Sequence, residues 1–467
     1  MYSMVRAFVV TTVFITVLLI PGISYAQDAT PSPSPSPATV ASAAEKEKSE
    51  EQEPAAGAAA KPAEPAPDFW HQETMTGDWG GTRTRWKEKG VDLEFKLSNF
   101  VQGVASGGVS QSTVLNGKFE MWWKLDLGKV AGWKWWSAEI KSEVRFGGPL
   151  LPGVGTINPV NTAEIVPSAA GTSPAITAVN FTRIIPKDLA KGDLYVISFG
   201  RFDLLDTIDE QFFGGAGTEK FFNIAQIGPL TVLRQVPLVT NLGSFAYVKG
   251  GEPRFTIAVM DPNDHTLDSG IDDLFADGVT FAPTVFFPVK YFGKTAKHSF
   301  GGAITTKKYT PFDAIRQIII PGPALNPVQP QRGSWSISYV FRQYFVERGK
   351  KDGWGLFSQI SFADKDTSPI TVFYDVGLGG NGLIKSRPKD EFGFSYAYTD
   401  LSSVLKDNLN LISLGGIRPR SEHQVEMFYN FHITPWMQLT GDLQLIRPTR
   451  RTVDNTVVPG ARLVFIF

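Results

Sequence analysis

From Asp68 to its C-terminus the chain alternates apolar and polar residues with a period of two. Val91, Leu93, Phe95 and Leu97 alternate with Asp92, Glu94, Lys96 and Ser98. A second run sets Phe119, Met121, Trp123, Leu125 and Leu127 against Lys118, Glu120, Lys124 and Asp126. A third opposes Trp136, Ala138, Ile140, Val144 and Phe146 to Ser137, Glu139, Lys141, Glu143 and Arg145. The pattern returns near the end, where Val425, Met427, Tyr429, Phe431 and Ile433 oppose Gln424, Glu426, Asn430 and His432. Leu439, Leu443 and Leu445 then oppose Thr440, Asp442 and Gln444, and Ala461, Leu463, Phe465 and Phe467 share one side of the last segment. Successive strand side chains point to opposite faces, so each segment reads as a strand with one apolar and one charged face.

A soluble sandwich and a membrane barrel both alternate in this way. The segments here run about ten residues, the length of a tilted strand that crosses a bilayer. Charges of both signs share the polar face, as a water-filled lumen requires. Trp335, Tyr344, Trp354, Tyr398 and Trp436 fall near segment ends, where interfacial aromatic girdles form. Closing the sheet removes the edges that so many strands would otherwise expose. The pattern therefore predicts an all-β fold, a transmembrane antiparallel β-barrel. At about 10 residues per strand the chain has room for about 16 to 18 strands, enough to enclose an aqueous channel. Residues 149–176, 261–278 and 318–332, rich in Gly, Pro, Asn or Asp, are the expected long loops.

Ahead of this region Arg6 precedes an apolar run from Ala7 to Ile20, broken by Pro21 and Gly22 and followed by Ser24-Tyr25-Ala26. The run is shorter than the ~20 residues of a spanning helix and has a signal peptide's small-residue cleavage site. Residues 1–26 are thus expected to be removed on export. Residues 27–67 begin with alternating Pro and Ser and continue as an Ala-rich, charged stretch, composition for a solvated linker rather than a core. The division expected is a leader at 1–26, a linker at 27–67 and a barrel at 68–467. There is no cysteine, so no disulfide framework and no thiolate metal site. The 45 basic residues balance 46 acidic ones, which argues against a nucleic-acid partner. The 34 phenylalanines and 11 tryptophans suit a lipid-facing wall.

Catalytic chemistry finds no pattern to stand on. The five histidines (His71, His265, His298, His423, His432) lack metal-ligand spacing, and neither a GxSxG elbow nor a Walker-type loop occurs. No enzyme activity, metal or cofactor is expected. Asp261, Asp264, Asp268, Asp272, Asp273 and Asp277 carry oxygens suited to Ca²⁺, but their spacing is not that of an EF-hand and also suits a solvated loop. The candidates for lining the lumen are Glu94, Lys96, Glu120, Lys124, Glu139, Lys141, Glu143, Arg145, Arg201, Arg342, Glu426 and Arg462. Trp122 and Phe428 share the polar-face parity and offer aromatic surfaces there.

Thr76-Gly77-Asp78-Trp79-Gly80-Gly81-Thr82-Arg83 resembles the opening motif of the carbohydrate-selective outer-membrane porins, the OprB family. Arg85 to Val91 looks like that family's short helix before the first strand, with Gly90 as its stop. Gly200-Arg201-Phe202-Asp203 with Phe212-Phe213-Gly214-Gly215, and Asp261-Pro262-Asn263-Asp264 leading to Phe275-Ala276-Asp277-Gly278, are similar to mid-barrel segments of the family. The closing stretch, with Val425 to Tyr429, Ile433 to Trp436 and Gly460 to Leu463, resembles it further and ends in a terminal aromatic. The resemblance implies a 16-stranded barrel of the bacterial outer membrane, narrowed by inward-folded loops, whose arginines and acidic residues favour sugars in passive diffusion. It implies outer-membrane lipid, small sugars and the barrel assembly machinery as partners, Phe467 being the assembly signal, in a monomer or homotrimer. Between about 150 and 190 the sequence departs from the family pattern. A general diffusion porin and an envelope-tethering barrel stay open as alternatives.

Overall fold

The computed structural model describes residues 68–167, 174–208, 211–314, 329–416 and 418–467. The expected leader and linker lie outside them. Among the described residues sixteen long strands form the wall. They begin with β1 (Val91–Gly103), β2 (Thr113–Asp126), β3 (Trp136–Gly147), β4 (Ala175–Asp188) and β5 (Asp193–Asp203). Next come β6 (Val239–Lys249), β7 (Glu252–Met260), β8 (Thr280–Tyr291), β9 (Lys294–Tyr309) and β10 (Gln331–Gly349). The last six are β11 (Asp352–Ala363), β12 (Ile370–Asn381), β13 (Glu391–Leu401), β14 (Glu422–Thr434), β15 (Met437–Arg447) and β16 (Asp454–Ile466). Each strand pairs antiparallel with the next, and β1 also pairs with β16 from Lys96↔Ile466 to Gln102↔Gly460, which closes the barrel. A three-residue strand, Ser106–Gly108, extends the sheet beside β16.

The burial pattern is the inverse of a soluble protein's. Apolar residues such as Leu115 (72% exposed) and Ile304 (59%) stand on the outer face, while Lys141 and Arg462 are fully buried inside. The outer face is what lipid covers, and the period-two alternation carries the charged face inward. One end of the barrel has mostly short turns, such as Gly250-Gly251 and Lys350-Lys351; the other carries long loops. At the short-turn end helix α1 (Thr82–Glu88) leads into β1 through Gly90. Gly90 has φ 90°, and a Cβ there would lie 2.7 Å from the Asp126 carbonyl oxygen, so the helix stops at a residue only glycine fits. The N-terminal segment is fastened to the same end: the Met75 N–H donates to the Ile466 carbonyl at 2.7 Å, and the Trp436 indole to the Phe69 carbonyl at 2.9 Å.

Of the five aromatics expected at the girdles, Tyr344 is a correction. Tyr344 shares the lumen parity of Val340 and Arg342, with unbroken pairing between them, and its ring packs inward against Phe212. Trp335 is exposed on the outer face, Tyr398 stacks on Tyr374 at 4.7 Å, and Trp354 meets Phe345 edge-on. Trp436 is buried beneath Phe69 and Trp70.

Two long loops fold into the lumen. The loop after β5 carries Phe212, Phe213 and Phe221 into an apolar cluster with Tyr344, Phe357 and Phe428 of the wall. Wall glycines make the room: a Cβ on Gly379 would lie 2.2 Å from the Phe212 carbonyl oxygen, and one on Gly393 would lie 2.4 Å from the Phe221 ring. Polar clamps complete the attachment. The Glu426 carboxylate accepts the N–H groups of Phe222 (2.6 Å) and Asn223 (3.1 Å). Arg462 donates to the carbonyls of Gly217 (2.8 Å), Glu219 and Lys220 (3.0 Å), with its guanidinium 4.6 Å from the Phe222 ring centre. The loop after β3 is held by Glu422, which accepts from the Ile157 N–H at 3.0 Å, the Asn158 N–H at 3.3 Å and the Thr156 hydroxyl. In that loop Glu164 accepts from the Leu150 N–H at 3.3 Å and from the Asn116 amide.

Burial pushes the Glu164 carboxyl up to about 7, against the opposing pull of Leu150, Asn116 and Arg145. A raised carboxyl favours the folded loop most when protonated. Its contribution is complete below its ordinary value of 4.5 and is lost as pH rises through about 7. Protease cleavage of the loop after β3 should therefore be slower at pH 5 than at pH 8, and Glu164→Gln should abolish the difference; an unchanged difference in the variant would place the titrating group elsewhere. Gly379→Val should displace the loop after β5 while the closed wall persists. Single-channel conductance then rises with no loss of heat-modifiable migration on a gel.

Candidate functional site

Lumen-facing positions of β1, β2 and β3 lie side by side in register. Lys96 pairs with Glu120 across β1 and β2, and Glu120 with Glu143, Trp122 with Lys141, and Lys124 with Glu139 across β2 and β3. The direct Glu120–Glu143 juxtaposition is destabilising by itself, since like charges face each other across the strands. Lysines one step along offset it. Lys118 reaches Glu143 at 2.9 Å and Glu120 at 3.6 Å, Lys141 reaches Glu120 at 3.3 Å and also Glu143, and Lys96 reaches Glu120 at 3.4 Å.

The inward loop completes this network. Lys141 donates to Asp203 at 3.1 Å, at the end of β5, and to Asp206 at 2.6 Å in the loop. Lys96 donates to the Thr218 hydroxyl at 3.0 Å and lies 3.5 Å from Glu219. Lys96, Lys118, Glu120, Lys141 and Glu143 are buried by this packing, whereas Lys124 and Glu94, joined at 2.7 Å, remain partly open. The Trp122 ring sits among three ammonium groups, with Lys96, Lys141 and Lys124 at 5.0, 5.1 and 5.9 Å from its centre. Cations over an indole face are held by its quadrupole, which fixes both partners.

Beside this network lies a cavity of about 470 Å³, within the range of small-molecule clefts. Its charged side is Glu94, Lys96, Trp122, Lys124 and Glu139, together with Asp206 and Glu219 from the loop. Its other side, from β4 to β8, is built of short side chains that include Ala178, Thr182, Ser198, Ser244, Ala258 and Ala282. The loop after β5 packs against the opposite half of the wall through its phenylalanines, so the cavity lies where the wall's side chains are small. Neutral solutes in this space meet alternating donors and acceptors along one wall and a smooth surface along the other.

The remaining expected residues are distributed as follows. Arg145 lies on the lumen face opposite Lys118 and beside Glu164, and Arg342 lies between Lys297 and Phe357 in register. Glu426 and Arg462 face the lumen but hold the loop after β5. Arg201 is a correction. It shares its face with Ile197 and Phe199, both exposed on the outer wall, and its guanidinium donates to the His265 carbonyl of the loop after β7. In β5 the lumen face begins with Leu194 and Val196, which are buried with Ala246 and Val248, so a count of polar residues could not assign Arg201 a side. Lys118, Asp203, Asp206 and Glu219 belong to the network without having been singled out. Parity alone would have added Lys118; the loop residues carry no periodic signal.

In the aspartate-rich loop, Asp261 accepts from the Asn263 N–H at 2.8 Å and the Phe275 N–H at 2.5 Å, and Asp264 from the Val239 N–H at 3.2 Å and the Thr266 hydroxyl at 2.6 Å. These carboxylates bind N–H and hydroxyl groups of the loop itself and of the start of β6. Among the described residues no group of three or more His, Asp or Glu side chains is placed to hold a metal ion.

Residues 111–467 match the carbohydrate-selective porin, OprB family. Porin B of Pseudomonas aeruginosa is 25% identical over 155 residues, a match that covers 26% of this chain and 34% of Porin B. The chain thus matches about a third of that relative's length. The high-pH structure of Pseudomonas putida OprB superposes with a TM-score of 0.71 at 23% identity, over 86% of this chain and 100% of that one, and shows the same fold. With a closed antiparallel wall, lipid-suited outside and charged within, the chain is an outer-membrane β-barrel that belongs to the OprB family of carbohydrate-selective porins.

Proposed function

We propose that the protein passes small neutral sugars down their gradient through the cavity between β1–β8 and the loop after β5. The observation that carries this reading is the partly open Glu94–Lys124 pair beside Trp122, Lys96 and Glu219 on the cavity wall. Sugars have no net charge, so long-range attraction cannot select them. A wall of opposite charges that hold one another in place still offers spare donors and acceptors to hydroxyl groups. Each hydrogen bond exchanged with water nets about 0.5–1.5 kcal/mol, so a few give weak binding that permits release. The family description points to the same substrate class. A general diffusion channel is the reading this must be separated from, because size exclusion alone needs only the cavity.

We further propose that residues 1–26 are removed on export, that residues 27–67 form a periplasmic linker, and that Phe467 is read by the assembly machinery. Its N–H donates to the Phe95 carbonyl at 2.9 Å, which places the terminal residue at the rim beside β1.

In reconstituted vesicles the protein should admit xylose faster than a neutral glycol ether of matched mass. Replacing both Trp122 and Lys124 with Ala should narrow that preference by about three- to tenfold, the worth of one or two exchanged hydrogen bonds. An undiminished preference would remove this wall from selection, and equal rates in the unaltered protein would establish general diffusion. Lys141→Met should be costlier to the fold than to transport. It leaves Glu120, Glu143, Asp203 and Asp206 without their shared cation, a loss of about 3–5 kcal/mol for a buried ion pair broken on one side. Lys124→Met, which breaks a partly open pair, should cost nearer 0–1 kcal/mol. Denaturant unfolding in detergent, followed by tryptophan fluorescence, measures both.

A further inference from the structure

The long-loop rim of the barrel carries a second charged surface, outside the lining of the cavity. At the long-loop end, residues 418–420 before β14 lie against residues 449–451 after β15. The Arg420 N–H donates to the Thr449 carbonyl at 2.8 Å, the Arg451 N–H donates to the Arg418 carbonyl at 3.3 Å, and Pro419 bridges to Arg450. This short ladder gathers Arg418, Arg420, Arg450 and Arg451, and Arg447 joins them from the end of β15. Arg447 sits opposite His423 in register and shares the outward face of Leu445, with its guanidinium 3.4 Å from the His423 ring. Arg418, Arg447, Arg450 and Arg451 are exposed.

Among the described residues none of these five arginines forms an ion pair with a carboxylate. Their side chains meet backbone carbonyls and one imidazole: Arg418 donates to the Gly415 carbonyl, and Arg420 to those of Pro448 at 2.8 Å and Val453 at 3.1 Å. Asp400, at the end of β13, is already held by Lys406 at 2.9 Å and by the Ser421 hydroxyl. Burial, with the positive charges of Arg447 and Arg451, pushes Arg420 below the usual arginine range, and only Asp454 opposes it. Guanidinium groups drawn together against a single opposing carboxylate repel one another, an arrangement that an external anion relieves.

The level of the cluster on the wall says which anion. Immediately toward the membrane lie Tyr374, Tyr396, Tyr398 and His423, packed ring against ring, with the Tyr398 hydroxyl on Ser421 at 3.0 Å and the Tyr396 hydroxyl on His423 at 2.8 Å. Below them the outward face becomes apolar at Val376, Phe394, Met427 and Leu445. That sequence of arginine, polar aromatic and aliphatic residues marks the aqueous edge of a bilayer leaflet. The long-loop end of an outer-membrane barrel faces outward, into a leaflet built of phosphorylated glycolipid. Arginine binds phosphate oxygens through paired donors, and clustered basic residues at a membrane edge retain anionic headgroups.

We propose that Arg418, Arg420, Arg447, Arg450 and Arg451 form a docking surface for the phosphate groups of an outer-leaflet glycolipid, whose acyl chains lie along β13, β14 and β15. The test is native mass spectrometry of the full-length, detergent-purified protein with bisphosphorylated lipid A, enzymatically dephosphorylated lipid A, or inorganic phosphate. The bisphosphorylated lipid should bind at least tenfold more tightly than its dephosphorylated form, with inorganic phosphate failing to displace it at equal concentration. The variant R447Q/R450Q/R451Q, and the milder R450Q/R451Q confined to an exposed turn, should lose that preference in order of charge removed. Both should keep heat-modifiable migration and sugar uptake in vesicles of neutral lipid. Equal binding of the two lipid forms would assign retention to the apolar belt alone and overturn the proposal. So would unaltered binding by correctly folded variants, or displacement by inorganic phosphate, which would make the surface a free-anion site.

Discussion

Backbone N–H and C=O groups find no water in hydrocarbon, and each one left unpaired there costs several kcal/mol. The closure of β1 onto β16 answers that constraint, and most of the rest follows from it. A closed wall of sixteen strands is too wide for its own side chains to fill, so the inside is either water or inserted chain. Here it is both. The loop after β5 occupies the half lined by β10 to β14 with phenylalanines, and the half lined by β4 to β8, where side chains are short, stays open. Wall glycines at 379 and 393 are as much a part of this division as the phenylalanines they admit.

Insertion of that loop changes the electrostatics of the wall it touches. Glu120, Lys141 and Glu143 would be ordinary solvated charges in an unobstructed lumen. Once covered they need partners, because a buried charge without one is strongly destabilising. The loop and its flanking strand end bring those partners with them: Asp203 and Asp206 to Lys141, and Glu219 to Lys96. Glu426 and Arg462, which a sequence reading takes as more of the same lumen charge, instead spend their hydrogen bonds on loop backbone. Both uses make the passage rigid, since each ion pair or clamp that orders the loop also sets the position of the cavity wall.

The alternation of β1, β2, β3, β14 and β15 was legible because lipid and water impose opposite demands on successive residues. Strand identity, the lumen side of Glu94 through Arg145 and the short helix ending at Gly90 all followed from that period or from the motif beside it. Arg201 was not legible. Leu194 and Val196 make the lumen side of β5 apolar at its start, so the strand lacks the contrast that parity needs. Tyr344 was legible and misplaced: it stands two residues from Arg342 and shares its lumen parity, but nearness to a strand end assigned it to the girdle. Asp206 and Glu219 were missed because a loop that crosses a lumen is ordered by what it meets there, and no local periodicity records that contact.

The two charged surfaces differ in a way that follows from what each must contact. Inside, lysines stand beside carboxylates, which outnumber them along the cavity, and a passing solute meets donors and acceptors side by side. Hydroxyl-bearing neutral molecules can use both kinds of group on such a wall. At the outer rim, arginines stand together without carboxylate partners, above a tyrosine band and an aliphatic belt. The charge there lies outside the cavity lining, and salt screens it within about 10 Å. The barrel can therefore be strongly basic where it meets the membrane edge and of mixed sign where solute passes, and the period-two strand, which assigns successive residues to opposite faces, is what allows both.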